Sequence, residues 1–284
     1  MAEQAFDVIV IGLGGMGAAA SYHLARRGLR VLGLEQFGIP HTLGSSHGVN
    51  RIIRLAYYED PSYVPLLRRA FELWRETEAA LGEQLLHVTG SIDCADRDHY
   101  VFTESLRSCE LHDLPHEVLN AAQIMDRWPA FQLPDVYQAV YQPDGGYVMS
   151  ERAIVAHIEG AMAAGAEIHG FEPVLSWTTT SSGVEVKTSR GTYVASQIVL
   201  SAGAWMGDLV PQLSGILQPE RQVLGWFWPS NPEQFQDATL PVFNLAGEHE
   251  RWYGFPMRQI PGFKFGKYHH RHEPVDPDTY DRNP

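Results

Sequence analysis

Gly12, Gly14 and Gly17 stand at G-x-G-x-x-G spacing, and Glu35 closes the second apolar run after them. Together these residues suit one task, holding a nucleotide diphosphate. Gly12 permits a tight turn, Gly14 with Gly15 beside it lets a pyrophosphate approach the backbone, and Gly17 lets helix and strand pack closely. Glu35 can accept both hydroxyls of a ribose. Their positioning elements are a buried parallel strand over 8–11, a helix over 16–27 stopped by Gly28, and a second strand ending on Glu35. The helix N-terminus adds unpaired N–H groups and a partial positive charge. The glycine spacing alone is a weak signal. With strand, helix, second strand and acid all in place, it points to dinucleotide binding rather than to a glycine-rich turn. The unit does not choose between NAD and FAD.

Further residues carry chemistry less securely. Arg51 and Arg54 flank Ile52 and Ile53. Arginine presents a fixed fork that grips a carboxylate bidentately. Two solvated arginines offsetting Glu59 and Asp60 is the plainer reading, but the apolar pair between them argues for burial, where an unpaired charge is costly. Ser201, Ala202, Gly203 and Trp205 follow a buried strand, and small residues at a strand's carboxyl end let a ligand come close. An ordinary strand-to-helix turn is the alternative. Lys264 and Lys267 fall on opposite faces of one strand. His269-His270-Arg271-His272 invites a metal reading, but adjacent histidines on a strand point apart and no carboxylate–histidine pattern accompanies them. No metal site is expected.

Composition narrows the class. A net charge of −13 over 284 residues argues against nucleic acid or an anionic membrane as partner, since phosphate binding needs clustered cations. Cys94 and Cys109 are the only cysteines, which suits a reducing compartment. The first residues lack the basic stretch of a signal peptide, and the apolar run after them is too short to span a bilayer. The expectation is a cytoplasmic protein; oligomeric state is not legible.

Periodicity predicts helices over 63–82, 103–111, 120–128 and 150–165, the last with Ser150 as N-cap. Strands are predicted over 88–94, 138–142, 167–168, 173–177, 183–188, 191–194, 198–201, 222–228, 252–255 and 263–268. The layout is α/β. A Rossmann-like nucleotide-binding domain (1–85 and 146–215) is interleaved with an antiparallel-sheet substrate domain (86–145 and 216–284).

Five segments together resemble the monomeric sarcosine oxidase and N-methyltryptophan oxidase family of flavin-dependent amine oxidases. They are the fingerprint with Glu35, His41 to Gly48 leading into Arg51-Ile52-Ile53-Arg54, Gln218 to Val223, Trp252 to Pro256, and Lys264-Phe265-Gly266. The resemblance runs over essentially the whole chain. It implies FAD as cofactor, a D-amino-acid-oxidase-like fold, and a small-molecule amine and O2 as reactants. The implied reaction oxidises a secondary N-methyl amino acid by hydride-equivalent transfer to the flavin, followed by imine hydrolysis and reoxidation by O2 to peroxide. It also assigns roles. Lys264 corresponds to the oxygen-activating lysine, Arg54 to the substrate-carboxylate arginine, and Arg51 to one beside the flavin ring. His47 matches a flavin-proximal histidine, and His269 a substrate-side one displaced by the extra residue Lys267. Ser45 falls in a cofactor segment, and Val174 matches the position whose backbone meets adenine. The aromatics Trp226, Phe227, Trp228, Trp252, Tyr253 and Phe255 suit either a cage round an N-alkyl substrate or core packing.

The chain ends at Pro284, in a segment that the family continues. The resemblance therefore implies a C-terminally truncated fold, with the flavin-linking cysteine and a further substrate-binding lysine absent. Cys94 and Cys109 lie outside the matching context. Exposed sheet edges are expected, and with them weak or no FAD binding and little turnover by this polypeptide alone, measurable as flavin absorbance after purification. Competing readings are a related flavoprotein dehydrogenase or oxidase of another amine, and a non-catalytic FAD-binding fragment.

Overall fold

A computed structural model describes residues 5–281. In chain order its elements begin with β1 (Ala5–Ile11), α1 (Gly15–Ala25), β2 (Val31–Leu34), β3 (Asn50–Ile53), α2 (Val64–Leu81), β4 (Leu86–Val88) and β5 (Ser91–Asp96). There follow α3 (Tyr100–Leu111), β6 (Glu117–Asn120), α4 (Ala121–Arg127), β7 (Tyr137–Gln142), β8 (Gly146–Met149) and α5 (Ser150–Ala163). The remainder is β9 (Glu167–His169), β10 (Val174–Thr180), β11 (Gly183–Thr188), β12 (Thr192–Leu200), α6 (Met206–Leu209), β13 (Leu224–Phe227), β14 (Val242–Ala246), β15 (Arg251–Phe255) and β16 (Phe263–Lys267). Local chemistry sets several ends. Gly82 stops α2 in the left-handed region (φ 71°), and Asn120 with Gln123 forms a reciprocal capping box on α4.

The chain packs as two units. The first takes the residues up to Gly48, Ser150–Glu220 and the stretch from Pro274; the second takes Val49–Met149 and Arg221–Glu273. The expected boundary near residue 85 therefore moves to Gly48. The cause is strand pairing: β3 and β4 both add antiparallel to β8, which carries 49–85 and 146–149 into the second unit. The ends of the expected 1–85 and 216–284 segments, at 1–4 and 282–284, lie outside the described residues.

The first unit is a six-stranded sheet in the order β10-β11-β12-β1-β2-β9. Along β1, Val8 and Val10 pack with Tyr22 of α1 and Ile154 and Ile158 of α5, while Ile9 and Ile11 pack with Val184 and Val186. Both faces are covered, which is why a parallel strand reads as an unbroken apolar run. The strands expected over 191–194 and 198–201 are one strand, β12. Its first half pairs antiparallel with β11, while β1 runs parallel beside it.

The second unit holds a seven-stranded sheet, β13-β16-β15-β14-β5-β7-β6, and the three-stranded sheet β3-β8-β4. The strand expected over 88–94 breaks at Gly90 (φ 79°), sending β4 and β5 into different sheets. β3, β6, β8 and β14 lie outside the predicted strands; they are short or carry Asn and Gly, which blunts a period-two signal. No helix among the described residues is long and apolar enough to cross a membrane.

Candidate functional site

The glycine turn opens a cleft of about 290 Å³ in the first unit. It gathers Gly12, Gly14, Gly15, Glu35, Ser45, Val174, Ser201, Ala202, Gly203 and Trp205, all expected at a cofactor. Gly17 sits beneath it. A Cβ there would stand 1.8 Å from the Gly12 carbonyl oxygen, whereas one on Gly14 would meet only Ser46 Oγ at 3.5 Å. Gly12 itself has φ 87° and abuts the Ser201 backbone, so turn and β12 terminus touch.

These residues fit the adenosine diphosphate half of FAD. Gly14 caps α1 with no side chain, and the first turn holds no acid, so the helix end remains available to an anion. Ser46 Oγ accepts from Gly15 N at 3.1 Å, pinning the 41–48 loop over the turn. Glu35 Oε2 accepts from Leu13 N at 2.8 Å, and Oε1 accepts from Phe37 N at 3.1 Å, 3.6 Å from His41 Nε2. His41 Nδ1 accepts from Leu43 N, which leaves the proton on Nε2, toward Glu35. Burial pushes the Glu35 carboxyl up, but His41 and the two backbone donors more than offset this and hold it below its usual range. Sequence reasoning missed His41 and Ser46 as individual site residues, since their partners are 6 and 31 positions away. His47 Nδ1 lies within hydrogen-bonding distance of the Gly44 carbonyl, bracing the same loop. Glu151 of α5 accepts from Gly48 N at 2.6 Å and from the Ser150 hydroxyl at 2.8 Å, tying the loop to the start of that helix.

In the second unit, strand register sorts the candidates by face. Partners across a ladder share a face. Lys264 pairs with Phe255 and Trp226, Gly266 with Tyr253, Tyr253 with Asn244, and Asn244 with Asp93. Lys264, Tyr253, Phe255, Trp226, Asn244 and Asp93 thus stand on one face. Phe227, Trp252, Phe243 and Phe265 stand on the other, where Trp252 stacks parallel on Phe265 at 4.9 Å. The six aromatics therefore form no single cage. Trp228 lies past the end of β13 and is exposed.

Lys264 is 2% exposed. Its Nζ donates to the Asn50 carbonyl at 2.7 Å and to Asn50 Oδ1 at 3.1 Å, and lies 4.2 Å from the Phe255 ring centroid. Arg51 donates to the same Asn50 carbonyl at 2.8 Å, so Asn50, unmarked in the sequence, holds both cations. Lys267 pairs instead with Glu250 at the surface. Arg54 follows β3 and is buried between the rings of Tyr57 and Tyr58, at 4.3 and 4.5 Å. It donates to Glu59 at 3.0 Å and lies 3.3 Å from Asp93. Arg54 is thus no solvated surface arginine.

His269 departs from expectation. β16 ends at Lys267, and His269 and His272 both take φ of 49° in the turn beyond it. Their rings stack at 5.2 Å with 5° between planes. These histidines are not on a strand and do not point apart as expected; their rings face one another.

The cleft, the fingerprint and the second sheet define a class. The chain belongs to the FAD dependent oxidoreductase family, whose model matches residues 7–283. Among curated relatives, a monomeric sarcosine oxidase of Streptomyces avermitilis is 42% identical over 258 residues, covering 90% of this chain and 67% of the relative. An N-methyl-L-tryptophan oxidase of Yersinia pestis is 39% identical, covering 93% of this chain and 70% of the relative. This is the sarcosine oxidase and N-methyltryptophan oxidase branch of the family. Of solved structures, the amino acid oxidase NikD superposes with a TM-score of 0.78 at 26% identity, covering 98% of this chain and 73% of that one. The L-proline dehydrogenase of P. horikoshii gives 0.78 at 20% identity over 99% of this chain and 73% of that one, and shares the fold.

Proposed function

We propose that this chain carries out FAD-dependent oxidation of a secondary N-methyl amino acid, of the sarcosine or N-methyltryptophan type, with O2 as acceptor and imine and H2O2 as products. The observation that carries the reading is Lys264, a cation buried on the same sheet face as Tyr253 and Phe255 and tied to Asn50. When bound, the flavin supplies the electron sink and returns the electrons to O2. The protein's own residues do the rest. Gly12, Gly14 and Gly15 hold the diphosphate, Glu35 takes the ribose hydroxyls, and Val174, Ser201, Ala202, Gly203 and Trp205 close the cleft. Arg54 orients the substrate through its carboxylate. Arg51, His47 and His269 flank the reacting groups. Lys264 keeps a fixed positive charge where negative charge develops on oxygen, and burial strengthens that effect.

Neither cysteine suits a covalent flavin link. Cys94 and Cys109 are buried, and burial pushes both thiols up to about 12, away from a reactive thiolate. Flavin bound to this chain is therefore released by acid precipitation; flavin that stays with the pellet refutes this.

Peroxide release in the presence of added FAD, assayed against sarcosine, N-methyltryptophan and their primary-amine counterparts, tests the activity. Turnover of N-methyl amino acids with stoichiometric peroxide is the expected result. Substrate-dependent flavin bleaching that dyes reoxidise but O2 does not would establish a dehydrogenase instead.

A further inference from the structure

One buried acid has no part in that chemistry yet stands against the guanidinium to which the substrate carboxylate is assigned. Asp93 lies in the middle of β5 and is 2% exposed. Its neighbours Ile92, Cys94 and Ala95 are the apolar residues that a buried strand ordinarily carries. A carboxylate in their midst costs free energy unless it is paired. Two hydrogen bonds and one ion pair stand against it. Asp93 Oδ2 lies 3.3 Å from Arg54 Nε and accepts from Ser105 Oγ at 2.9 Å, and Oδ1 accepts from Asn244 Nδ2 at 2.7 Å. Asn244 is the register partner of Asp93 on β14, and its own Oδ1 accepts from the Tyr268 hydroxyl at 3.1 Å. The carboxylate is therefore fixed by strand, helix and strand, while Arg54 lies beyond the end of β3. Such an anchor can set the orientation of a side chain that the local backbone leaves free.

Resting on the reading of Arg54 as the substrate-carboxylate group, we propose that Asp93 is the positioning residue of Arg54. Its charge, set beside Nε, holds the guanidinium in the orientation in which it meets the carboxylate of an N-alkyl amino acid, while Nη2 also donates to Glu59. Asp93 touches neither substrate nor cofactor in this arrangement. Ser105 and Asn244 keep its two oxygens in place, and the rings of Tyr57 and Tyr58 confine the guanidinium plane.

The test is a calorimetric titration of the chain, at saturating FAD, with propionate as a non-reacting carboxylate and propionamide as its neutral counterpart. Propionate is expected to bind and propionamide not. Asp93→Asn, which keeps the shape and removes the charge, weakens propionate roughly tenfold or more, in line with the cost of a misplaced binding group. In turnover, KM for the N-methyl amino acid rises by a similar factor while kcat per folded, flavin-loaded protein changes little. A purely structural role lowers the folded fraction and leaves KM in place. Ser105→Ala removes one hydroxyl from the anchor and weakens propionate about two- to threefold in the same direction, with little loss of melting temperature. If Asp93→Asn does not fold, this second variant decides the matter. Unchanged propionate affinity in the folded variant overturns the positioning role. Unchanged affinity in Arg54→Met overturns the Arg54 assignment beneath it, so the two failures are distinguishable.

Discussion

Lys264 shows what a single side chain gains from burial. An ammonium on a flexible stem is ordinarily a surface group, yet here its Nζ is held by both oxygens of Asn50 and by the Phe255 ring. Replacing it by methionine keeps the volume and removes the charge. Lys264→Met is expected to slow the O2-dependent half-reaction by about 10²–10³-fold, the range for losing one preorganised stabilising group. Flavin reduction by substrate changes much less. Stopped-flow absorbance of the two half-reactions measures this, and equal slowing of both would remove Lys264 from oxygen chemistry. The lysine itself was marked in the sequence by its context. Asn50, 214 positions away, was not, because an asparagine beside two arginines carries no motif.

At the scale of elements, the glycine turn separates two jobs that the motif writes as one. Gly17 serves packing: a Cβ there would collide with the Gly12 carbonyl and with Ser201 Oγ, at 1.8 and 2.6 Å. Gly14 has no such packing role, since a Cβ there would find ordinary contact with Ser46, and the proposed reading gives it to the ligand. Gly17→Ala is expected to destabilise the fold by about 3 kcal/mol, at the upper end of the cost of overpacking. Gly14→Ala is expected to cost no more than about 0.5 kcal/mol, as for a change without buried contacts, while weakening FAD binding. Urea unfolding and a flavin titration on the same two proteins check this, and the reverse ranking would refute the division. This βαβ unit was legible because its contacts are local: turn, helix and returning strand follow one another within 35 residues. The split of the 88–94 segment between two sheets was not, because one glycine in the left-handed region redirects the chain without disturbing the apolar pattern on either side.

Across the molecule, pH reaches stability first through a buried group the chemistry does not use. His157 of α5 is buried against Tyr22 and His23 of α1, with ring centroids at 5.2 and 6.0 Å. Burial, helped by His23, lowers its pKa to about 4 from an ordinary 6.5. The folded state thus binds this proton less readily than the unfolded chain. The contribution to stability is full above about pH 6.5 and is lost as pH falls toward 4, by up to ~3 kcal/mol. Glu35, also held low, adds a loss that begins only below its ordinary value of 4.5. Urea midpoints are expected to fall between pH 7 and 4.5, and His157→Gln to flatten that part of the profile. An unchanged slope in the variant would assign the loss to other groups.

What the sequence determined by itself is the dinucleotide-binding unit, the class of cofactor through its resemblance, and the identity of most residues that line the cleft. Glycine spacing, strand–helix alternation and a terminal acid act over short stretches, so they remain visible in one dimension. The tertiary structure alone decided the boundary at Gly48, the joining of two predicted strands into β12, and the pairing of Arg54 with Asp93 and of Lys264 with Asn50. Each of these depends on which strands meet and in what register. A register shift of one residue exchanges the faces of a strand, and only the packed sheet fixes which side chains share a face.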